Sequence, residues 1–220
     1  MNKGTLAQGI DMDMMVALLR QMTQPATLNL LKPQGLTQAL EKKACDMVFP
    51  VEDTPALADR WTLLRAVPFR YQAYSLFQIK TAQAAPPINR VSALFGMRLG
   101  IHPDFKITVG LQQALQDQQF QIERYKDRTE MLTALRQGEI NGILDQTIPL
   151  TYAAHKENLR NRLQERAITF IPQTPLFLAF SHADNHQRHD AIMRHFQNAL
   201  TQQHLKGELL RYTAAYFQKD

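Results

Sequence analysis

With 220 residues, the chain is long enough to bury a substantial core, in one large domain or two smaller lobes, and its 45% hydrophobic and 20% charged content argues against disorder. No apolar run approaches the ~20 residues that span a bilayer, so direct membrane insertion is not expected. A net charge of +5 permits contact with anionic partners, but the basic residues are scattered and Lys42-Lys43 is the one adjacent pair, so nucleic-acid binding is not expected either.

The start, MNKGTLAQGIDMD, has no apolar run of the kind a signal peptide needs. Ile10, Met14, Leu18 and Met22, with Met15 and Leu19 beside them, form an apolar stripe at helical spacing, and Asp11 and Asp13 suit a helix start. Pro25 ends this helix. Thr27–Leu31 reads as a strand, Leu36–Lys43 as a helix and Met47–Phe49 as a strand. Pro55 can open a helix at its first turn. Tyr71–Lys80 is the longest β-like stretch, and Thr81–Pro87 a short extended linker. A helical turn at Val91–Phe95 precedes a strand at Met97–Ile101. A helix at Leu111–Gln118, a strand at Gln121–Tyr125 and a helix at Thr129–Gln137 follow, with Gly138 placed to terminate the last. Ile143-Leu144 is a strand, Leu150–Asn158 a helix, and Ile168–Ile171 and Leu176–Ser181 the closing strands, separated by Pro172 and Pro175. Two helices finish the chain. The alternation of strands and helices implies mostly parallel sheets.

Two of these segments read as one unit written twice. LTQALEKKACDMVF from Leu36 aligns without a gap on MLTALRQGEINGIL from Met131, placing Asp46 on Asn141 and Met47-Val48-Phe49 on Gly142-Ile143-Leu144. The single Cys45 falls on Ile140 and reads as a small buried hydrophobe rather than a reactive thiol. Two distant copies of one α/β unit imply two similar lobes, and a cleft between lobes is a common ligand site. His182, His186 and His189, with Asp184 and Asp190, form a dense group at spacings that a metal could use. The surrounding HADNHQRHD reads as a solvated loop entering a helix, so no metal is expected. No nucleophile elbow, phosphate loop or metalloprotease motif occurs, and no cofactor is expected.

The succession GIDMDMMVALL, CDMVFPVEDTP with Arg60, VPFRYQAYSLFQIK, VSALFGMRLGIHPDF, LRQGEINGILD and LFLAFSH covers almost the whole chain. In this order it resembles the family 3 extracellular solute-binding proteins, which have the type 2 periplasmic binding fold. The resemblance implies a two-lobed α/β fold, with residues 1–78 and 174–220 in one lobe, 79–173 in the other, and crossings near Leu76–Lys80 and Gln173–Leu176. It implies non-catalytic capture of a small polar solute, amino-acid-like or an organic anion, by hinge closure. It also implies a periplasmic setting and a membrane transporter or sensor as partner. The family's first strand, which should precede Gly4, is missing, and a longer natural N-terminus is expected.

By the same resemblance Arg60 holds a ligand carboxylate, for which the guanidinium fork is suited; its alternative is a solvated helix Arg. Asp145 or Asn141 meets a ligand ammonium, or Asp145 caps the helix that follows. Phe49, Asp53 and Thr54 stand where the family places hydroxyl-bearing ligand contacts, and Asp104 stands in His102-Pro103-Asp104-Phe105, where the family presents backbone N–H groups to a carboxylate. Two further readings remain: an enzyme on the same fold, dehydratase-like, with Asp104, Asp145 or His102 as acid or base, and a sensory scaffold with an altered pocket.

Overall fold

The structure, a computed structural model, describes residues 9–22, 26–31, 35, 38–39, 42, 45–59, 61–83, 85–181 and 186–218, without the side chains of 186–189 and 215–218. The chain divides into two compact units, Met1–Tyr71 with Pro175–Asp220, and Gln72–Thr174.

In the first unit, helix α1 (Ile10–Gln21) forms as its stripe demands. Ile10, Met14, Met15 and Leu18 are buried, and Asp11 and Asp13 occupy the first turn, where the helix dipole favours negative charge. Strand β1 (Met47–Glu52) is followed by a single helical turn, α2 (Pro55–Ala58), with Thr54 as its N-cap and Pro55 at its first position. Strands β2 (Trp61–Leu63) and β3 (Arg70–Gln72) come next. The unit closes with β9 (Thr174–Ser181), α6 (His186–Leu205) and α7 (Glu208–Gln218). Strand β9 is the centre of the sheet: β1 and β2 run antiparallel on either side of it, both meeting Ala179, and β3 also bonds to it. Val48, Val51, Trp61, Leu63, Phe177 and Ala179 form the core under this sheet, with Cys45 packed against it. Burial, then the neighbouring Asp46 carboxylate, pushes the Cys45 thiol up from its ordinary value, as suits an inert packed thiol. Helix α1 packs on α6 and α7. Arg70, 8% exposed, ties β3 to α1 through a two-pronged ion pair with Asp11, at 2.6 and 3.0 Å.

In the second unit, five strands lie in the order β6-β5-β7-β4-β8. They are β4 (Tyr74–Ile79), β5 (Arg98–Ile101), β6 (Gln121–Arg124), β7 (Gly142–Gln146) and β8 (Leu163–Ala167). Helices α3 (Val109–Gln116), α4 (Arg128–Gln137) and α5 (Thr147–Lys156) connect them. One face of the sheet buries Leu76, Leu99 and Leu144 with Leu94, Phe105 and Leu111. The other buries Phe77 and Ile143 with Met131, Leu132 and Leu135 of α4 and Leu150 and Ala154 of α5. Cover on both faces explains the consecutive buried residues of the central strands β4 and β7. Helix α4 ends at Gly138, whose φ of 77° is the left-handed conformation that favours glycine. Gly142 lets the two buried leucines close in: a Cβ there would lie 2.8 Å from Leu76 Cδ1 and 3.3 Å from Leu99 Cδ2, so their side chains would have to shift.

Four expectations are corrected. Mostly parallel sheets do not form: the recorded registers are parallel only within β6-β5-β7, whereas β4 runs antiparallel to β7 and β8 and the first unit's recorded pairs are antiparallel. Strand β4 arrives from the first unit rather than through a helical crossover, so nothing forces it parallel. The stretch Tyr71–Lys80 is two strands broken at Ala73, and Leu76–Lys80, expected as a crossing, begins inside β4, where Leu76 pairs with Leu144 and Arg166. Thr27–Leu31 is not a strand; it pairs with no strand among the described residues, and Leu30 is 70% exposed. The strand expected at Ile168–Ile171 lies earlier, as β8, a sheet edge rich in polar residues; Ile168 itself makes an isolated bridge to Ile88 and donates its N–H to the Tyr74 carbonyl at 3.0 Å. Of the helix expected at Leu36–Lys43, only Gln38, Ala39 and Lys42 are described, and Gln38 and Ala39 are helical.

Candidate functional site

Ligands of open α/β sheets gather at the carboxyl ends of parallel strands, and in the second unit β6, β5 and β7 end together. Leu99 pairs with Gly142 and Gly100 with Ile143, so the same register carried forward sets His102 opposite Asp145. Across the antiparallel β4, Asp145 pairs with Ser75. His102, Asp145 and Ser75 thus form one polar row at the end of the face that packs under α4 and α5.

Helix α4 supplies the fourth member. Asp127 caps it, its carboxylate accepting the Glu130 N–H at 2.9 Å, which sets Arg128 at the first helical position. The Arg128 guanidinium donates from Nε to Asp145 Oδ2 at 2.7 Å and from Nη2 to Oδ1 at 3.2 Å. The Gln146 N–H adds a bond to Oδ1 at 2.8 Å. Asp145 is 1% exposed, whereas the Arg128 side chain is 20% exposed. Burial pushes the Asp145 carboxyl above its ordinary value; Arg128, the Gln146 amide and His102 pull the other way without cancelling it. Asp145 is therefore not the exposed helix cap that one sequence reading held out. It is a buried carboxylate with both oxygens already engaged.

Around this pair the other groups are also partnered. Ser75, 1% exposed, bonds Thr147 at 2.8 Å and donates to Glu165 Oε1 at 3.3 Å, and Glu165 faces Arg160 Nη2 at 3.5 Å. With the one Ser75 proton on Glu165, Thr147 donates in the other bond. Asp104 is an exposed side chain 3.3 Å from His102 Nδ1, and its own backbone N–H also points to Nδ1 at 3.3 Å. That nitrogen can serve only one of them, as acceptor from the amide or donor to the carboxylate. Asn141 closes the start of β5: its Oδ1 accepts the Arg98 N–H at 2.8 Å, and its own N–H donates to the Arg98 carbonyl at 2.8 Å. It is a structural bracket, not a free ligand contact.

In the first unit, Phe49 lies within β1, and Asp53 and Thr54 follow its end. The Phe49 ring packs on Phe69, with centroids 5.6 Å apart. Asp53 is held by Arg65 through bonds of 2.6 and 2.9 Å, and this hydrogen bonding draws its carboxyl below the usual range. A ¹³C titration of the side-chain carboxyls should show Asp53 losing its proton at lower pH than an ordinary aspartate, and Arg65→Gln should return it to the ordinary range. An Asp53 carboxyl that ignores the substitution would remove Arg65 as the cause. Thr54 is committed to capping α2, its hydroxyl facing the Leu57 N–H at 3.4 Å. Arg60 and His182 lie outside the described residues, as do the side chains of His186 and His189. Among the described residues no cluster could hold a metal ion.

In the second unit a concavity of about 430 Å³ is lined by Tyr125, Lys126, Asp127, Glu130 and Glu139, among others, and contains none of the candidate site residues. Burial, aided by Glu123, pushes the Tyr125 hydroxyl up to about 12. The groove is predominantly acidic.

Arg128 is the residue that reading the sequence missed. Its signal was present: a cation in the first turn of a helix opposes the dipole and needs a nearby anion to offset it. Asp145, seventeen residues on, is that anion.

No protein-family model and no curated protein matches the sequence. Solved structures do match the fold. Substrate-binding domain 2 of GlnP from Lactococcus lactis, in an open conformation, aligns with a TM-score of 0.72 and 18% identity, over 97% of this chain and 87% of that one. The amino acid ABC transporter substrate-binding protein AbpA from Streptococcus pneumoniae, bound to L-arginine, aligns with a TM-score of 0.62 and 12% identity, over 99% and 87%. A histidine kinase sensor domain with similarity to periplasmic binding proteins aligns with a TM-score of 0.61 and 15% identity, over 96% and 86%. The chain has the two-unit α/β fold of these substrate-binding and sensor domains, as its order of motifs led one to expect. No helix among the described residues is long and apolar enough to cross a membrane.

Proposed function

We propose that the chain is a non-catalytic solute-binding protein that closes its two units on a small polar solute, amino-acid-like or an organic anion, in the service of a membrane transporter or sensor outside the cytoplasm. The observation that carries this reading is fold likeness over nearly the whole chain to domains that bind substrates or sense. The polar row His102, Asp145 and Ser75, at the carboxyl ends of β5 and β7, supports it from within the molecule. Arg60 is the proposed anchor for an anionic group in the first unit, and Phe49, Asp53, Thr54 and Asp104 are proposed to border the solute. The enzyme reading has less support: Asp145, its best-placed acid or base, has both oxygens bonded to Arg128.

Thermal-shift screening of the full chain against amino acids, organic acids and short peptides tests the proposal. A true ligand at 100 times its dissociation constant should add about 2.7 kcal/mol of stability, and Arg60→Ala should weaken that response. No response to any compound of a broad library would contradict solute binding.

A further inference from the structure

We infer that the second unit meets its solute with a cation rather than an anion: Arg128, flanked by His102, forms a subsite for a carboxylate, and the ligand is a small organic anion. The inference rests on the solute-binding reading and narrows it.

An ammonium would need an accessible carboxylate at the ends of β5 and β7. Asp145 is the carboxylate placed there, and it is 1% exposed, with one oxygen bonded to Arg128 and the other shared by Arg128 and the Gln146 amide. To reach it an ammonium would have to displace a two-pronged guanidinium, exchanging one charge-assisted pair for another with no gain. The buried pair is instead a fixed dipole. Its negative end faces the packed sheet, and its positive end, one-fifth exposed, is the end that solvent reaches. Bonding through Nε and Nη2 locks the guanidinium plane, and Nη1 makes no hydrogen bond with a described residue. An oriented guanidinium loses little freedom on taking a second carboxylate. His102 adds to this. When its Nδ1 accepts the Asp104 amide proton, the ring proton stands on Nε2, a second donor on the strand position opposite Asp145.

Titration calorimetry of the full chain with succinate, glutarate and citrate, beside glutamine and arginine, tests this. The expected result is binding of at least one of the acids and none of glutamine or arginine. Arg128→Gln combined with Asp145→Asn exchanges the ion pair for a neutral pair of similar volume, and should keep the folded circular-dichroism spectrum while weakening acid binding by about thirtyfold or more. Asp145→Asn alone removes the carboxylate an ammonium would need and keeps Arg128, so acid binding should persist, weakened by less than in the double variant. Binding of glutamine or arginine that disappears in Asp145→Asn would overturn the inference and leave solute binding standing. An unchanged acid affinity in the double variant, or no binding of any of the five probes, would also overturn it. Only silence across the broad thermal-shift library would overturn the parent reading.

Discussion

Arg128→Met should destabilise the protein by about 3–5 kcal/mol at neutral pH, because it strands the Asp145 carboxylate in the interior without its partner. Part of that loss should return on acidification. Burial already raises the Asp145 carboxyl above its ordinary value, and loss of the guanidinium removes the main opposing influence, raising it further. A carboxyl raised in the folded state binds more protons folded than unfolded between the ordinary value of 3.8 and the raised one. Its contribution is therefore fully present below the ordinary value and is lost as pH rises through the raised one. Urea melts of wild type and variant should thus lie closer together near pH 4 than at pH 7. Asp145→Leu added to Arg128→Met should restore most of the neutral-pH stability, since an apolar pair of similar volume needs no compensation. A pH-independent gap between wild type and Arg128→Met would mean that Asp145 is not the group left unpaired.

Phe77→Ala should cost about 3–5 kcal/mol, the range for emptying a buried aromatic site. Phe77 is fully buried in β4, pairs with Ile143 and Glu165 on its two neighbours, and packs under α4 with Met131 and Leu132. The substitution therefore acts on the platform that positions Arg128. Hydrogen exchange should show the loss of protection concentrated in β4, β7 and α4, with α1 of the first unit much less affected. Equal loss in α1 would mean that the two units do not respond separately.

Much of the second unit could be read from its sequence because local and tertiary preferences agree there. Helix α4 has an Asp cap, an apolar stripe and a terminating glycine, and β7 is an apolar run between covered faces. Strand β8, Leu163–Ala167, escaped because an edge strand with one buried residue and polar neighbours carries little apolar pattern. Thr27–Leu31 misled for the opposite reason: β propensity without a pairing partner does not make a strand. At the candidate site the sequence pointed to Asp145 but not to its state. An aspartate after an apolar strand looks the same whether it meets solvent, caps a helix or holds a buried arginine. Only the fold, by bringing the start of α4 over the end of β7, decides among them. The repeat illustrates the same limit: Asp46 and Asn141 align, yet Asp46 offers its backbone carbonyl to Ser181 while Asn141 uses its side chain to bind the start of β5.

A crystal structure of the full chain grown with whichever of succinate, glutarate and citrate binds in calorimetry tests the account most directly. The account predicts one carboxylate of the bound acid about 3 Å from the Arg128 guanidinium, with the Arg128–Asp145 pair intact beneath it. No acid density at Arg128, or Asp145 released from Arg128 and turned toward a bound ammonium, would contradict it.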